Sequence, residues 1–164
     1  HHFPFKTELI QAAVEYLHGK LLEDYTERVN AIPKTKKGKQ HRRAGLDAYW
    51  QHLTGDLATA YHELCVAGRT DPELQQILRS SSALFDEHVH QTNAVLFNEW
   101  NDRGDRYLLA MDITRFMMEG MAMGQLTVDL SKRIPQLLDY LGDRLEEIFK
   151  DGESSAIGRH SNRK

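Results

Sequence analysis

Residues 71–100, DPELQQILRSSSALFDEHVHQTNAVLFNEW, form the stretch that decides the fold class. Asp71 followed by Pro72 is an N-cap residue with proline at the first helical position, which is a strong signal for the start of a helix. The apolar side chains then recur at steps of three and four, the period of one helix face. They are Leu74, Ile77, Leu78, Leu84, Phe85, Val89, Leu96 and Trp100. The stretch therefore predicts one long helix of about thirty residues, or roughly 45 Å.

The same period predicts three helices before this stretch. The first runs from Leu9 to near Pro33, the second follows Gly45, and the third runs from Gly55-Asp56 to Gly68. Between the first two lies KTKKGKQHRR, residues 34–43, which has six basic residues and no apolar one. This composition favours an exposed connection rather than a packed element, and contact with DNA phosphates or an acidic effector is the alternative.

Two helices are predicted after the long one. Asp105 begins the fifth, whose apolar residues occupy two sides, and Ser131 begins the sixth, which Asp151-Gly152 ends. No segment alternates with period two, so the sequence predicts an all-α fold of about six helices. The last two carry more apolar surface than a six-helix monomer covers, which favours a four-helix bundle in a homodimer.

Composition excludes several classes of protein. The chain has 164 residues, 40% of them hydrophobic and 27% charged, as is typical of a globular domain. A net charge of −3 argues against a uniformly basic nucleic-acid coat protein. A single cysteine, Cys65, excludes an internal disulfide and a multi-cysteine zinc site and suits a reducing, cytoplasmic setting, where we expect it to be a buried small hydrophobe. The sequence contains no apolar run long enough to span a membrane, so we expect no membrane partner. It also contains no nucleotide-binding motif, so we expect no cofactor.

The start of the chain carries a family resemblance. His1-His2-Phe3-Pro4-Phe5-Lys6, followed at once by the periodic first helix, resembles the junction between the helix-turn-helix and the first core helix of TetR-family transcriptional regulators. The resemblance implies that residues 1–6 are the remnant of a DNA-binding domain that precedes His1. Residues 7–150 would then be the effector-binding and dimerisation domain, and 151–164 a disordered tail. It also places Lys6 on a phosphate of operator DNA, whereas the family's usual serine before this lysine is Phe5 here.

The resemblance further implies a cavity for a small hydrophobic effector among the second, fourth and fifth helices. All five methionines lie between Met111 and Met123, and flexible thioethers suit an adaptable site. The predicted ligand-binding residues are Tyr49, Trp50, Leu53, Tyr61, Phe85, His88, Val89, Thr92, Met117, Met118 and Met121. Polar anchors are expected among His52, His62, His88 and Asn93, with His88 favoured. Ordinary core packing is the alternative for each of them.

The expected dimer interface lies on the last two helices. Its predicted residues are Phe116, Gly120, Gly124, Leu137, Leu141, Leu145 and Ile148. The two glycines, four residues apart, allow a neighbouring helix to approach closely. Intramolecular packing is the alternative for the four aliphatic residues.

A metal enzyme is the competing interpretation. Glu15/His18 and Glu87/His90 are two Glu-x-x-His pairs on predicted helices, the spacing used by di-iron carboxylate bundles. The flanking Gly19 and Lys20, however, place His18 on the polar side of its helix. We therefore expect a ligand-responsive transcriptional regulator and not an enzyme, with a repressor favoured and an activator as the alternative.

Overall fold

The structure is a computed structural model. It describes residues 6–160, except for the side chains of residues 102, 103 and 151–160. This part of the chain contains six α-helices, one 3₁₀ helix and no strand, so the predicted all-α fold is confirmed. The helices are α1 (Lys6–Asn30), α2 (Lys39–Leu53), α3 (Asp56–Ala67), α4 (Pro72–Leu96), the 3₁₀ helix (Asn98–Arg103), α5 (Asp105–Gly124) and α6 (Ile134–His160). None of these helices is long and apolar enough to span a membrane.

The chain divides into two compact units, and α2 passes from the second into the first. In the first unit, described from residues 6–31 and 51–96, α1 packs against α3 and α4. The core consists of Val14 on α1 with Leu74, Ile77 and Leu78 on α4. The period of three and four places these side chains on the facing sides of two long helices.

The second unit contains residues 32–50 and 97–160 of the described chain. Here α5 packs against α6, and the 3₁₀ helix contacts both. Met118 of α5 and Leu141 of α6 are fully enclosed, and Trp100 of the 3₁₀ helix is also buried. Gly142 permits a close approach of α2, because a Cβ atom placed there would lie 3.7 Å from a methyl carbon of Leu46.

Several helix ends follow their predicted signals. Asp71 Oδ1 accepts hydrogen bonds from the backbone N–H groups of Glu73 and Leu74, at 3.1 and 3.0 Å, as an N-cap does. Gly55 and Gly68 flank α3 as expected.

Other ends differ from prediction. The long helix stops at Leu96, a 3₁₀ helix replaces its last turn, and Gly104 at φ +54° leads into α5. A positive φ is open to glycine at little steric cost, so this residue suits the turn. Near the C-terminus, α6 continues to His160 beyond Asp151-Gly152, since an interior glycine costs only about 1 kcal/mol. The predicted disordered tail is therefore helical over its described part, and residues 161–164, like the HHFPF string at 1–5, lie outside the described residues.

The basic run is the largest departure. We predicted an exposed connection over residues 34–43, but α2 already begins at Lys39, six residues before Gly45. Lys39 pairs with Asp143 at 2.8 Å, and Arg43 pairs with Asp139 at 3.0 Å. Carboxylates of α6 therefore pair with basic residues of the run. Residues 34–40 keep the predicted exposed character, whereas residues 41–43 are half-buried.

Candidate functional site

A row of polar side chains is buried in the first unit, where α1 meets α4. His18 is at its centre with only 5% of its surface exposed. Its Nδ1 lies 2.8 Å from Ser81 Oγ, and its ring stacks on Phe85 at a centroid distance of 4.6 Å. The ring of Tyr61 on α3 also contacts the His18 ring, with a distance of 5.1 Å between the two centroids. The expectation that His18 lies on the polar side of α1 is wrong, because neighbours in sequence do not fix which face a helical residue shares.

The second ring nitrogen of His18 has no hydrogen-bond partner in the structure, although it is buried. Burial lowers the pKa of His18, and the nearby carboxylate of Asp86 only partly offsets this effect. The imidazole is therefore neutral at pH 7, and Nε2 is a donor or an acceptor according to the tautomer. A buried polar atom without a partner costs about 1–3 kcal/mol, so a polar group placed against this nitrogen would offset that cost.

Two further buried polar contacts lie along the same unit. Tyr25 donates a hydrogen bond to Asn93 Oδ1 at 2.7 Å. His52 Nδ1 lies 2.8 Å from Asp24 Oδ2, which also accepts a hydrogen bond from Arg28. Of the predicted polar anchors, His52 and Asn93 are thus core residues with partners inside the protein.

The directions of the pKa shifts of His52 and Asp24 indicate which of the two side chains carries a charge. Burial lowers the pKa of His52 and outweighs the raising effect of Asp24. Burial raises the pKa of Asp24, but the hydrogen bonds from Arg28 and His52 more than compensate, and the net direction is downward. A neutral His52 therefore donates from Nδ1 to an ionised Asp24, which is an acceptor only.

An open groove of about 400 Å³ lies between α3 and α4. Its wall includes Tyr61, Cys65, Arg69, Leu78, Arg79 and Asp86. Cys65 is exposed there, so the expectation that it is buried is wrong. Tyr61 also hydrogen-bonds to Ser82 at 3.2 Å.

The predicted effector residues are divided between the two units. In the first, Leu53 is buried, Tyr61, Phe85, Val89 and Thr92 are half-buried, and His88 is exposed. The favoured anchor His88 therefore faces solvent, while Tyr61 and Phe85 meet at His18 instead. In the second unit, Met118 and Met121 are buried in its core, and Tyr49, Trp50 and Met117 are half-buried. His62 is half-buried beside Tyr61.

One face of α5 is apolar and uncovered. Phe116 is 65% exposed, Leu109 is 51% exposed and Met123 is 38% exposed. Their spacing of seven residues puts all three on one side of the helix. Gly120 lies on the same side, and a Cβ atom built on it would meet nothing within 4 Å. The predicted interface residues Phe116 and Gly120 are therefore open to a partner.

Two of the aliphatic residues predicted for the interface have another role. Leu141 and Leu145 of α6 are buried inside the second unit, which is the intramolecular alternative, because the same period serves an internal core and an external interface equally well. Leu137 and Ile148 are half-buried, and Gly124 lies near Leu130. For these three residues the interface stays a prediction.

Sequence reasoning missed a charged cluster around Arg42. This residue forms an ion pair with Glu146 at 2.6 Å and lies 3.6 Å from a carboxylate oxygen of Glu99. Its guanidinium also lies 4.3 Å from the centroid of the Phe149 ring, which meets Trp100 edge-on. A signal was present, because Asp139, Asp143 and Glu146 recur at helical spacing and complement the basic run.

The metal ligands suggested by the Glu-x-x-His pairs do not converge. Glu15 and Glu87 are exposed, whereas His18 is buried against Ser81. Among the side chains that the structure describes, no group of three or more histidine, cysteine or acidic residues is placed to hold a metal ion. These two pairs therefore do not form a di-iron site.

Comparisons of this chain with family models, with curated proteins and with solved structures give no match.

Proposed function

We propose that this chain is the effector-binding and dimerisation part of a TetR-like, one-component transcriptional regulator. The observation that carries the proposal is the uncovered apolar face of α5, Leu109, Phe116 and Met123. A second copy that packs the same face about a twofold axis removes this surface from water and joins two helices from each subunit. The open space above Gly120 allows the two backbones to approach.

The proposed DNA-binding end is the N-terminus of α1. Lys6 begins this helix and is exposed. A cation together with free backbone N–H groups at a helix N-terminus suits a phosphate contact, which sets register rather than base sequence. Base readout belongs to helix-turn-helix residues that we propose to precede His1, in keeping with the HHFPFK string.

Helix α1 also supplies the proposed mechanical link to the effector. It carries Lys6 at one end and His18 near its middle, against Phe85 of α4. A ligand that changes the packing at His18 shifts the N-terminal end of α1, and with it the spacing of two recognition helices. Half-sites about one helical turn apart, roughly 34–36 Å, are then no longer matched. Such coupling makes the protein a repressor that releases DNA when the effector binds.

The proposal is tested by selection of binding sites from a pool of random duplex DNA. The full-length protein should enrich a palindrome whose half-sites lie about one turn apart. The chain of residues 1–164 alone is the matched control and should enrich no sequence. Lys6→Gln in the full-length protein should weaken binding without changing the selected palindrome, because phosphate contacts do not read bases. Failure of the full-length protein to enrich any site rejects a DNA-binding regulator.

A further inference from the structure

The groove between α3 and α4 has opposite charges at its two ends. Tyr61 bonds to Ser82, and Gly68 lies against Leu78, so the two helices run in opposite directions along the groove. Arg69 and Arg79 therefore lie toward one end and Asp86 toward the other. Leu78 and the ring of Tyr61 supply apolar wall.

The two arginines of the groove have no partner among the side chains that the structure describes. No ion pair or hydrogen bond joins Arg69 or Arg79 to any of them, whereas Arg28, Arg42 and Arg43 each pair with a carboxylate. Guanidinium groups bind carboxylates and sulfonates through parallel N–H···O bonds, and such a fork pairs best with a planar or tetrahedral oxyanion. Two unpaired guanidinium groups at one end of an apolar-walled groove thus favour an anionic ligand head.

The groove wall also shares residues with the surroundings of His18. Tyr61 contributes to the groove wall on one side and contacts the His18 ring on the other. Ser82, the partner of Tyr61, follows Ser81, which bonds to His18 Nδ1.

We propose that this groove binds a small amphipathic organic anion, with its oxyanion held by Arg69 and Arg79 and its apolar body along Leu78 and Tyr61. The carboxylate of Asp86 repels the head group from the opposite end and so orients the ligand. This inference does not depend on the regulatory function, since binding is measured without DNA.

The test uses two fluorescent probes of similar shape and different charge. One is 8-anilinonaphthalene-1-sulfonate, and the other is the uncharged N-phenyl-1-naphthylamine. For Arg69→Gln/Arg79→Gln we expect the affinity for the sulfonate to fall about tenfold, with the affinity for the neutral probe unchanged. Lys132→Gln/Arg133→Gln removes the same charge from the second unit and should change neither affinity.

A second variant tests the location. Ala83 is exposed on the groove wall, and Ala83→Trp fills the groove, so it should abolish binding of both probes while circular dichroism shows an intact helical fold. The proposal is overturned if the wild-type chain binds no sulfonate probe, or if Ala83→Trp still binds it normally. It is equally overturned if the two double variants weaken sulfonate binding to the same extent, because the effect is then one of net charge.

Discussion

Arg42 and Glu146 form an ion pair at 2.6 Å, with side chains only 12% and 11% exposed. Removing one partner of a nearly buried pair leaves the other charge without compensation. We expect Glu146→Leu to lower the free energy of unfolding by about 2–4 kcal/mol, somewhat moderated because Arg42 keeps Glu99 at 3.6 Å. The measurement is the midpoint of urea denaturation.

Lys39→Gln is the control for this substitution. It removes an ion pair between the same two helices, but both side chains are more than half exposed. Exposed pairs contribute little, so the midpoint should stay where it is. Equal losses for the two variants contradict the importance of burial at Arg42.

The basic run shows what the sequence determined and what it left open. Composition alone separates polar segments from apolar ones, and Lys34 to Gly38 is indeed exposed. It does not reveal that Arg42 meets Glu146, because that contact joins residues 104 positions apart. Local signals depend on neighbours within three residues, and the N-cap at Asp71 was predicted correctly, whereas α6 begins at Ile134 rather than at the predicted Ser131.

The histidines of the candidate site likewise show which features the sequence predicts and which depend on packing. His18 and His88 both occur on amphipathic helices, and the flanking residues favoured His88 as the buried one. The structure buries His18 because Ser81, Phe85 and Tyr61 converge on it from two other helices. Helical periodicity predicts faces, but the rotation of one helix against another depends on packing that a single sequence does not display.

The two buried histidines should make stability depend on pH. Burial lowers the pKa of both His18 and His52 below their value of about 6.5 in the unfolded chain. The unfolded state therefore binds more protons, and the stability that the neutral forms contribute is present above pH 6.5 and is lost as the pH falls below it. Urea denaturation at pH 7.5 and at pH 5.5 should show the lower stability at pH 5.5.

A double variant isolates this effect. His18→Gln/His52→Gln cannot take up these protons, so its stability should change less between the two pH values than that of the wild type. An unchanged pH dependence in the double variant contradicts the assignment to these histidines.

Replacement by alanine should change the stability of the protein in opposite directions at two glycines that lie inside helices. At Gly45 of α2, an added Cβ would lie 2.8 Å from Cζ of Phe97, so the ring must move. We expect Gly45→Ala to cost about 1–2 kcal/mol, in spite of the better helix propensity of alanine. At Gly19 of α1 nothing lies within 4 Å, and Gly19→Ala should stabilise the protein by about 0.5–1 kcal/mol. Thermal denaturation of both variants checks the pair, and stabilisation by Gly45→Ala contradicts the close packing of Phe97.

The N-cap at Asp71 should contribute measurably to α4. Its Oδ1 accepts hydrogen bonds from the N–H groups of Glu73 and Leu74. Asp71→Ala should lower the free energy of unfolding by about 1 kcal/mol, whereas Asp71→Asn keeps a capping oxygen and should retain most of the stability. Chemical denaturation of both variants measures the difference, and an equal loss in both assigns the effect to charge rather than to capping.

Pairing of two copies of the chain through α5 is measured by sedimentation velocity over a range of protein concentrations. We expect a dimer for the wild type and a folded monomer for Phe116→Asp, which places a charge on the uncovered face. Tyr16 of α1 is exposed to a similar extent, 68% against 65%, so Tyr16→Asp is the matched control and should remain dimeric. A wild-type chain that sediments as a monomer at every concentration, or a Phe116→Asp variant that stays dimeric, contradicts the claim.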